Sequence, residues 1–362
     1  MNLGCIKNIL FETDASEIKK IFKEAKTVKR STLGQDIYLR GLIELSNICT
    51  KDCFYCGIRK SNHSVNRYLM TKDEIIASAM FAFEKGFGSI VLQSGERDDE
   101  NFIAFIENII EEINYLTSQQ LRITLSLGEQ ATETYKRWFS SGAHRYLLRI
   151  ETSNESLYNK IHPSDHSYSN RVNCLSVLKE IGFQLGTGVM IGLPFQTIDD
   201  LVNDILFFKN MDIDMIGMGP FIEHSQTPLF GQPVDIANSF PQLLELSLKM
   251  IAATRISLPK INIAATTALQ ALDPFGREKG INAGANVIMP NVTLTQYRKD
   301  YLLYEDKPCV NDLADDCFDC VIKRIEMTGQ KVALYSKGDS LNFISKSKQT
   351  TNSLKGLLLE NS

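Results

Sequence analysis

Three stretches decide the fold: IYLRGLIELS at residues 37–46, TKDEIIASAMFAFEKG at residues 71–86 and SIVLQS at residues 89–94. The first and third are short apolar runs with β-branched residues, which is typical of buried strands. The second has apolar residues at helical spacing, opens on a threonine cap followed by acidic residues and closes on Gly86. Strand, helix and strand in this order predict a parallel β-α-β unit.

The same alternation continues along the chain, with helical patterns at residues 99–116 and 197–211, and the second of these also opens on a threonine cap followed by acidic residues. Eight repeats of strand and helix predict an α/β fold, a closed (β/α)8 TIM barrel. An open doubly wound sheet is the competing architecture, but its usual glycine fingerprint is missing after the first strand. Six further strand-like runs complete the eight: RITLSLG (122–128), YLLRIET (146–152), QLGTGVMIG (184–192), MIGMGP (215–220), NIAATT (262–267) and NVIMP (286–290).

Segments outside this alternation predict additions at both ends of the barrel. An amphipathic helix at residues 15–29 precedes the first strand, and three cysteines follow the last strand. We therefore expect four parts: an N-terminal helical extension (1–34), the barrel (35–300), a C-terminal extension with the second cysteine group (301–337) and a polar tail (338–362).

Composition narrows the class of protein. A net charge of −4 gives no basic excess for nucleic-acid binding, and no apolar run reaches the length of about 18 residues that spans a bilayer. The first residues carry no secretory pattern, so a reducing cytoplasm is the expected compartment. There, the eight cysteines are expected to be thiols and metal ligands.

The segment CTKDCFYCG places Cys49, Cys53 and Cys56 in C-x3-C-x2-C spacing. Three thiolates on one short loop can hold three corners of a 4Fe–4S cluster and leave the fourth iron open to a chelating ligand. The alternative is a structural zinc site, which requires a fourth ligand such as His63. The aromatic residues Phe54 and Tyr55 inside the loop suit a cluster loop beside a nucleoside.

This loop resembles the signature of the radical S-adenosylmethionine (SAM) superfamily, biotin synthase-like group. Within that group, residues 35–330 look like the HydE-type maturases of FeFe-hydrogenase. The resemblance implies a 4Fe–4S cluster whose open iron binds SAM, and reductive cleavage of SAM to a 5′-deoxyadenosyl radical. The segments that carry it are RGLIELSNIC, NRYLMTKDEI, IVLQSGE, TLSLGE, HRYLLRIET, NRVNCL, GLPFQTIDDL, GPFIEHSQTPL, NIAATTA, GANVIMPN and the late cysteines.

The resemblance also implies the cofactor-binding residues. The adenine is expected at the backbone around Tyr55 and Gly57, and Glu151 is expected to bind the ribose hydroxyls, a surface salt bridge being its alternative role. Arg171 is expected to pair with the methionine carboxylate. The methionine amino group is assigned to the segment Gln93, Ser94, Gly95 and Glu96.

Arg145 and Arg149 are four residues apart on one face of the fourth strand, because strand side chains alternate. An arginine inside a barrel is costly unless it binds an anion. The resemblance makes both arginines anion-binding residues of the internal cavity, with Thr266, Thr267 and Tyr301 as neighbours. The alternative is that one of them forms a salt bridge with the helix layer.

Cys309, Cys317 and Cys320 form a second group in C-x7-C-x2-C spacing. The resemblance implies a second Fe–S cluster, 2Fe–2S or 4Fe–4S, while a zinc site or simple thiols remain alternatives. It also implies an organometallic substrate, an iron–cysteine complex with CO and cyanide, together with the partner maturases HydG and HydF and a low-potential electron donor. Rival functions are a methylornithine synthase-like reaction and a non-catalytic iron–sulfur scaffold.

Overall fold

The computed structural model describes residues 3–237, 239–311 and 314–347, with the backbone alone at residues 314–317. The helices are α1 (Leu3–Phe11), α2 (Ala15–Leu33), α3 (Lys72–Glu84), α4 (Glu100–Leu116), α5 (Thr132–Ser140), α6 (Glu155–Ile161), α7 (Tyr168–Ile181), α8 (Ile198–Asn210), α9 (Phe240–Ser257), α10 (Thr267–Leu272), α11 (Gly276–Asn282), α12 (Thr295–Arg298) and α13 (Ala314–Met327). The strands are β1 (Asp36–Ser46), β2 (Ser89–Ser94), β3 (Arg122–Ser126), β4 (Arg145–Leu147), β5 (Gln184–Thr187), β6 (Met190–Ile191), β7 (Met215–Ile216), β8 (Gly219–Pro220), β9 (Asn262–Ile263), β10 (Val287–Ile288) and β11 (Lys331–Val332).

The strands form a parallel barrel, as predicted. Their order is β10-β1-β2-β3-β4-β5-β7-β9, and β6 and β8 pair with each other beyond the ends of β5 and β7. A parallel bridge between Ala264 and Val287 closes the ring, and the Ala265 amide donates to the Val287 carbonyl at 2.9 Å. Each of the eight predicted strand positions is therefore confirmed, and the (β/α)8 fold with them.

Alternating side chains divide the barrel between its core and its interior. Ile90 and Leu92 on β2 are fully buried in the same apolar cluster as Ile106 and Ile110 of α4. Val91, between them, instead lines the space inside the barrel. The period-2 geometry of a strand thus buries one face under helices and leaves the other for the interior.

The helix caps predicted from the sequence are present. Thr71 and Thr197 each form a capping box, with Glu74 and Asp200 at the third helical position. These contacts satisfy N-terminal amides that the first helical turn leaves unpaired. Gly86 has a φ of 81°, a left-handed conformation that suits glycine after the end of α3.

The segment at residues 337–340 closes the bottom of the barrel, where the strands begin. Arg145 donates to the Lys337 carbonyl at 2.6 Å and to Asp339 Oδ1 at 2.5 Å. Gln184 also donates to Asp339, at 2.8 Å, and the Ser340 amide donates back to Gln184 Oε1 at 2.8 Å. Polar contacts on a scaffold of buried strands therefore seal the end of the barrel opposite the expected site.

The N-terminal helices join the outer helix layer, because α1 packs against α8 and α9 while α2 packs against α9. Lys29 of α2 is buried, and its Nζ donates to the carbonyls of Ile281 and Ala285. Across the described ranges, no helix combines the length and the apolar character needed to cross a membrane.

Candidate cluster and cofactor site

The cysteine loop starts directly after β1 and is held by two polar side chains. Asn47 is fully buried, and its amide nitrogen donates to the carbonyls of Asn66 and Asp300 at 2.7 and 2.6 Å. Arg67 donates to four backbone carbonyls of the loop and its flank, which belong to Asn47, Ile58, Arg59 and Asn62. Buried carbonyls need donors, so these contacts set the loop conformation. Arg67 carries no motif of its own and was missed by the sequence reasoning, although it lies in the quoted segment NRYLMTKDEI.

Backbone amides of the protein point at two of the three loop sulfurs. Cys49 Sγ accepts from the amides of Lys51 and Glu96 at 3.4 and 3.3 Å. The amide of Ile58 hydrogen-bonds to Cys56. Such N–H donors stabilise the negative charge of a thiolate, which is the form that binds a metal.

Burial makes bare thiolates unfavourable at this loop. It raises the pKa of Cys49, raises that of Cys53 to about 12 and raises that of Cys56 well above its usual value. Desolvation penalises the charged form of each thiol. Iron bound by the three sulfurs would offset this cost with its positive charge.

The positions of the three sulfurs do not suit a single zinc ion bound by all of them. Around one zinc, with Zn–S bonds of about 2.3 Å, sulfurs would lie within about 4.6 Å of one another. Among described residues, the three loop cysteines do not form a set of ligand atoms within 4.8 Å of one another. His63, the alternative fourth ligand, is exposed. The donor set fits a cubane held by three corners.

The QSGE segment lies against the cysteine loop, and Gly95 is required there. A Cβ on Gly95 would lie 2.4 Å from the Ile48 carbonyl oxygen and 2.7 Å from Cys49 Cβ. The Gly95 amide donates to the Ser46 carbonyl at 2.9 Å, and Ser94 Oγ donates to the Gly95 carbonyl at 2.6 Å. The backbone of this predicted amino-group segment therefore approaches the first cysteine closely.

Beside this segment, two acidic side chains, Glu96 and Glu129, form a network of ion pairs with two basic ones, Lys51 and Arg171. Arg171 donates from Nε to Glu129 Oε1 at 2.5 Å, and Lys51 Nζ lies 3.3 Å from Glu96 and 3.6 Å from Glu129. Burial raises the pKa of Glu96. Burial would also raise the pKa of Glu129, but Arg171 and Lys51 hold it below its usual value. The sequence reasoning assigned no role to Lys51 or Glu129, although Glu129 lies in the quoted segment TLSLGE.

Glu151 and Arg149 face each other at the end of the fourth strand. Arg149 Nε donates to both carboxylate oxygens of Glu151, at 3.0 and 3.1 Å, and its Nη2 donates to the Val189 carbonyl at 3.0 Å. Glu151 has a φ of 65°, and its amide donates to the Gly188 carbonyl. The residue predicted to bind ribose is thus paired with one predicted to bind the substrate anion.

Tyr55 and Gly57, which were predicted to face adenine, are tightly placed. Tyr55 Oη lies 3.1 Å from His162 Nε2. The Gly57 amide donates to the Leu303 carbonyl at 2.9 Å, and a Cβ at Gly57 would lie 2.1 Å from the Leu302 carbonyl oxygen. Glycine is therefore required at this position because backbone from a distant part of the chain crosses it.

The remaining predicted cavity residues lie on the same end of the barrel. Tyr301 is buried, and its hydroxyl accepts from Gln93 Nε2 at 3.2 Å, which links the cavity to the QSGE segment. Thr266 caps α10 by position and donates to the Met218 carbonyl at 3.3 Å. Thr267 lines a neighbouring cavity of about 320 Å³.

Arg145 is not part of this group. It is the first residue of β4, whereas Arg149 follows the end of that strand. Four strand residues span about 13 Å at 3.3 Å per residue, so side chains on one face can serve opposite ends of a barrel. Arg145 binds Asp339 at the closed bottom. The expectation that it shares a site with Arg149 is therefore corrected.

The late cysteines border the cavity of about 320 Å³. Cys309 and Cys320 line it together with Arg277, Lys307 and Arg324. The side chain of Cys317 lies outside the described residues, so the predicted three-cysteine group is described in part.

Comparison with known proteins gives the family. Residues 43–208 match the radical SAM superfamily. The chain is 46% identical over 326 residues to the FeFe-hydrogenase maturase subunit HydE of Thermotoga maritima, with 90% of each chain covered. It is 26% identical over 289 residues to the 3-methylornithine synthase of Methanosarcina acetivorans, covering 78% of this chain and 77% of the relative.

Solved structures agree on the fold. Methylornithine synthase (PylB) superposes with a TM-score of 0.78 at 24% identity, covering 92% of this chain and 94% of that one. The maturase HydG from Carboxydothermus hydrogenoformans superposes with a TM-score of 0.73 at 21% identity, covering 89% and 75%. Identity this low shows the fold alone. The identity to HydE, over nearly the whole of both chains, shows more: this chain belongs to the HydE family of radical SAM enzymes.

Proposed function

We propose that this protein acts in maturation of FeFe-hydrogenase, with a 4Fe–4S cluster on Cys49, Cys53 and Cys56 and SAM beside it. The observation that carries the proposal is the set of three half-buried cysteines on one loop, two of them facing backbone amides and the first lying directly against the Gly95 backbone. When bound and reduced, the cluster supplies the electron that cleaves SAM to methionine and a 5′-deoxyadenosyl radical.

The protein residues would bind and orient SAM. Arg171 donates from Nε to Glu129 and from Nη1 to the Arg149 carbonyl. Its Nη2 would donate to the methionine carboxylate. Backbone at Gly95 would accept from the amino group, and Glu151 would accept from the ribose hydroxyls. Lys51 holds Glu96 and Glu129 in place, because without it two buried carboxylates would face each other.

The substrate proposal rests on family likeness. We propose an iron–cysteine complex that carries CO and cyanide, supplied by HydG, with HydF as the later acceptor and a low-potential protein as electron donor. We assign contact with this substrate to Arg149, Thr266, Thr267 and Tyr301, as the family resemblance implies. A closed barrel interior suits this reaction because it keeps water away from a reactive intermediate.

We propose in addition that Cys309, Cys317 and Cys320 hold a second Fe–S cluster. The support is that Cys309 and Cys320 line one cavity and that Arg324, although it is paired with Glu278, also hydrogen-bonds to Cys320. Replacing the three cysteines by serine should lower the iron and acid-labile sulfide of anaerobically prepared protein to the content of a single cluster. An unchanged iron content would contradict this proposal.

The main test is done on anaerobically reconstituted protein. Reduction in the presence of SAM should release 5′-deoxyadenosine, and Cys53→Ser should abolish this while Cys5→Ser, an exposed cysteine, should not. A host strain without this chain should make hydrogenase that lacks its di-iron site. Conversion of lysine to methylornithine would instead support the synthase-like function. A loaded cluster without SAM cleavage would support an iron–sulfur scaffold.

A further inference from the structure

His166 has no part in the function proposed above, yet it touches a cluster ligand. It lies in the connection between α6 and α7 and is 6% exposed. Its Nδ1 is 3.9 Å from Cys53 Sγ, and the backbone amide of Asp52 donates to its Nε2 at 3.4 Å. Both ring nitrogens of His166 therefore face the cysteine loop.

The Asp52 contact determines which nitrogen of His166 carries the proton. A nitrogen that accepts a hydrogen bond from a backbone amide is unprotonated, so Nε2 is the acceptor and Nδ1 carries hydrogen. Asp165 lies 3.7 Å from Nε2, beyond hydrogen-bond distance, and its side chain is 83% exposed. Nδ1–H then points to the sulfur of Cys53 as a donor.

Tyr55 is the other candidate donor to Cys53, because its side chain also lies within hydrogen-bond distance of that sulfur, but a neighbouring histidine takes its hydrogen. His162 Nδ1 lies 2.9 Å from the Tyr158 carbonyl, which can only accept, so His162 carries its proton on Nδ1. Its Nε2 then accepts from the Tyr55 hydroxyl at 3.1 Å. The single hydrogen of Tyr55 is thus used on His162, and His166 remains the donor to Cys53.

These contacts also explain why Cys53, His162 and His166 offer ligand atoms within 4.8 Å of one another. A metal ion there would need lone pairs from both rings. The proton of His162 is on Nδ1 and its Nε2 serves Tyr55, while His166 places its N–H toward the sulfur. Hydrogen bonding therefore explains why these three side chains lie close together, and it needs no metal ion between them.

We propose that His166 donates an Nδ1–H hydrogen bond to the Cys53 thiolate and thereby raises the reduction potential of the 4Fe–4S cluster. Hydrogen bonds to cluster sulfurs are one of the features that set such potentials. They stabilise the reduced cluster more, because it carries more negative charge. The inference rests on the proposed function, since it requires the cluster. At Cys49 and Cys56 the donors are backbone amides, whereas the donor to Cys53 is a side chain that a substitution removes.

The experiment is a redox titration of the cluster, followed by EPR, in anaerobically reconstituted full-length protein. His166→Leu removes the donor, His166→Asn keeps an N–H near the position of Nδ1, and His63→Asn is the matched control because His63 is exposed. We expect His166→Leu to make reduction about tenfold less favourable, which is about 59 mV for one electron. The reduction potentials of His166→Asn and His63→Asn should stay closer to that of the unsubstituted protein.

A His166→Leu protein with full iron and sulfide content and an unchanged potential would overturn the inference while leaving the proposed function intact. Absence of an Fe–S signal from the unsubstituted protein would instead remove the proposed function itself. If His166→Leu does not take up a cluster, pulsed EPR of unsubstituted protein labelled with ¹⁵N-histidine decides. A weak coupling to one histidine nitrogen supports a hydrogen bond, whereas no coupling, or one of the size of a direct iron–nitrogen bond, contradicts it.

Discussion

Arg149 and Glu151 form a two-pronged ion pair in which Nε of the arginine donates to both carboxylate oxygens, at 3.0 and 3.1 Å. Glu151 is 7% exposed, whereas the side chain of Arg149 is 30% exposed, so protein screens the pair from water in part. The arginine belongs to the predicted substrate cavity and the glutamate to the predicted ribose site. A change in one residue is therefore expected to affect both sites.

Glu151→Gln is expected to weaken SAM binding about 10- to 100-fold. The substitution removes a charged acceptor, and hydrogen bonds to charged groups contribute about 1.5–3 kcal/mol. SAM affinity is measured as the SAM concentration at which half of the EPR signal of the reduced cluster has changed to that of the SAM-bound form. Glu155→Gln, an exposed glutamate four residues later, is the control. Equal SAM affinities of Glu151→Gln and unsubstituted protein would argue against ribose binding by Glu151.

Thr267→Val is expected to lower hydrogenase maturation about fivefold and to lower SAM cleavage less. The two side chains have similar shapes, but valine removes a hydroxyl worth about 1 kcal/mol of hydrogen bonding. Maturation is measured as hydrogenase activity in a host that depends on this chain, and SAM cleavage as 5′-deoxyadenosine release. Thr132→Val, at an exposed threonine, should change neither. Parallel losses of both activities would place Thr267 in the cofactor site instead.

Asp339→Asn is expected to reduce the free energy of unfolding by about 3 kcal/mol, because it leaves the buried guanidinium of Arg145 without its anion. The site at the other end of the barrel should still load its cluster. Urea unfolding of the cluster-free chain measures the effect, with Asp98→Asn as an exposed control. A free energy of unfolding equal to that of the control would show that the bottom of the barrel does not depend on this ion pair.

Asp204, a buried residue of α8 whose Oδ1 accepts from the Ser153 amide at 2.7 Å, is expected to make the folded chain less stable as pH rises. Burial raises its pKa to about 7, while an unfolded aspartate titrates near 3.9. Between those values the folded chain holds a proton that the unfolded chain has lost, so the contribution is fully present below about pH 4 and is lost as pH rises to about 7. The loss could reach about 4 kcal/mol at 1.36 kcal/mol per pH unit.

Urea unfolding of the cluster-free chain at several pH values tests this dependence. Asp204→Asn should flatten the fall in stability between pH 4 and 7, because asparagine does not titrate. Asp98→Asn should leave the fall unchanged. The idea fails if the unsubstituted chain and Asp204→Asn show the same slope.

Local patterns in the sequence were sufficient for the barrel and the first cysteine loop. Eight apolar runs matched eight strand positions, and Thr71 and Thr197 cap helices as predicted. These features depend on neighbours along the chain, whose spacing a sequence displays directly.

Contacts between distant segments decided the rest, because spacing along one strand does not say which end of the barrel a residue serves. The sequence predicted Arg145 and Arg149 on one face of a strand. In the structure, residues 337–339 bind Arg145 at the bottom of the barrel, and Glu151 binds Arg149 beyond the end of β4 at the mouth. Likewise, the proton position on His166 follows from the amide of Asp52, more than a hundred residues away. The sequence by itself determined the barrel, the cysteine loop and the family, while only the folded chain decided which charges meet and which nitrogen faces the sulfur.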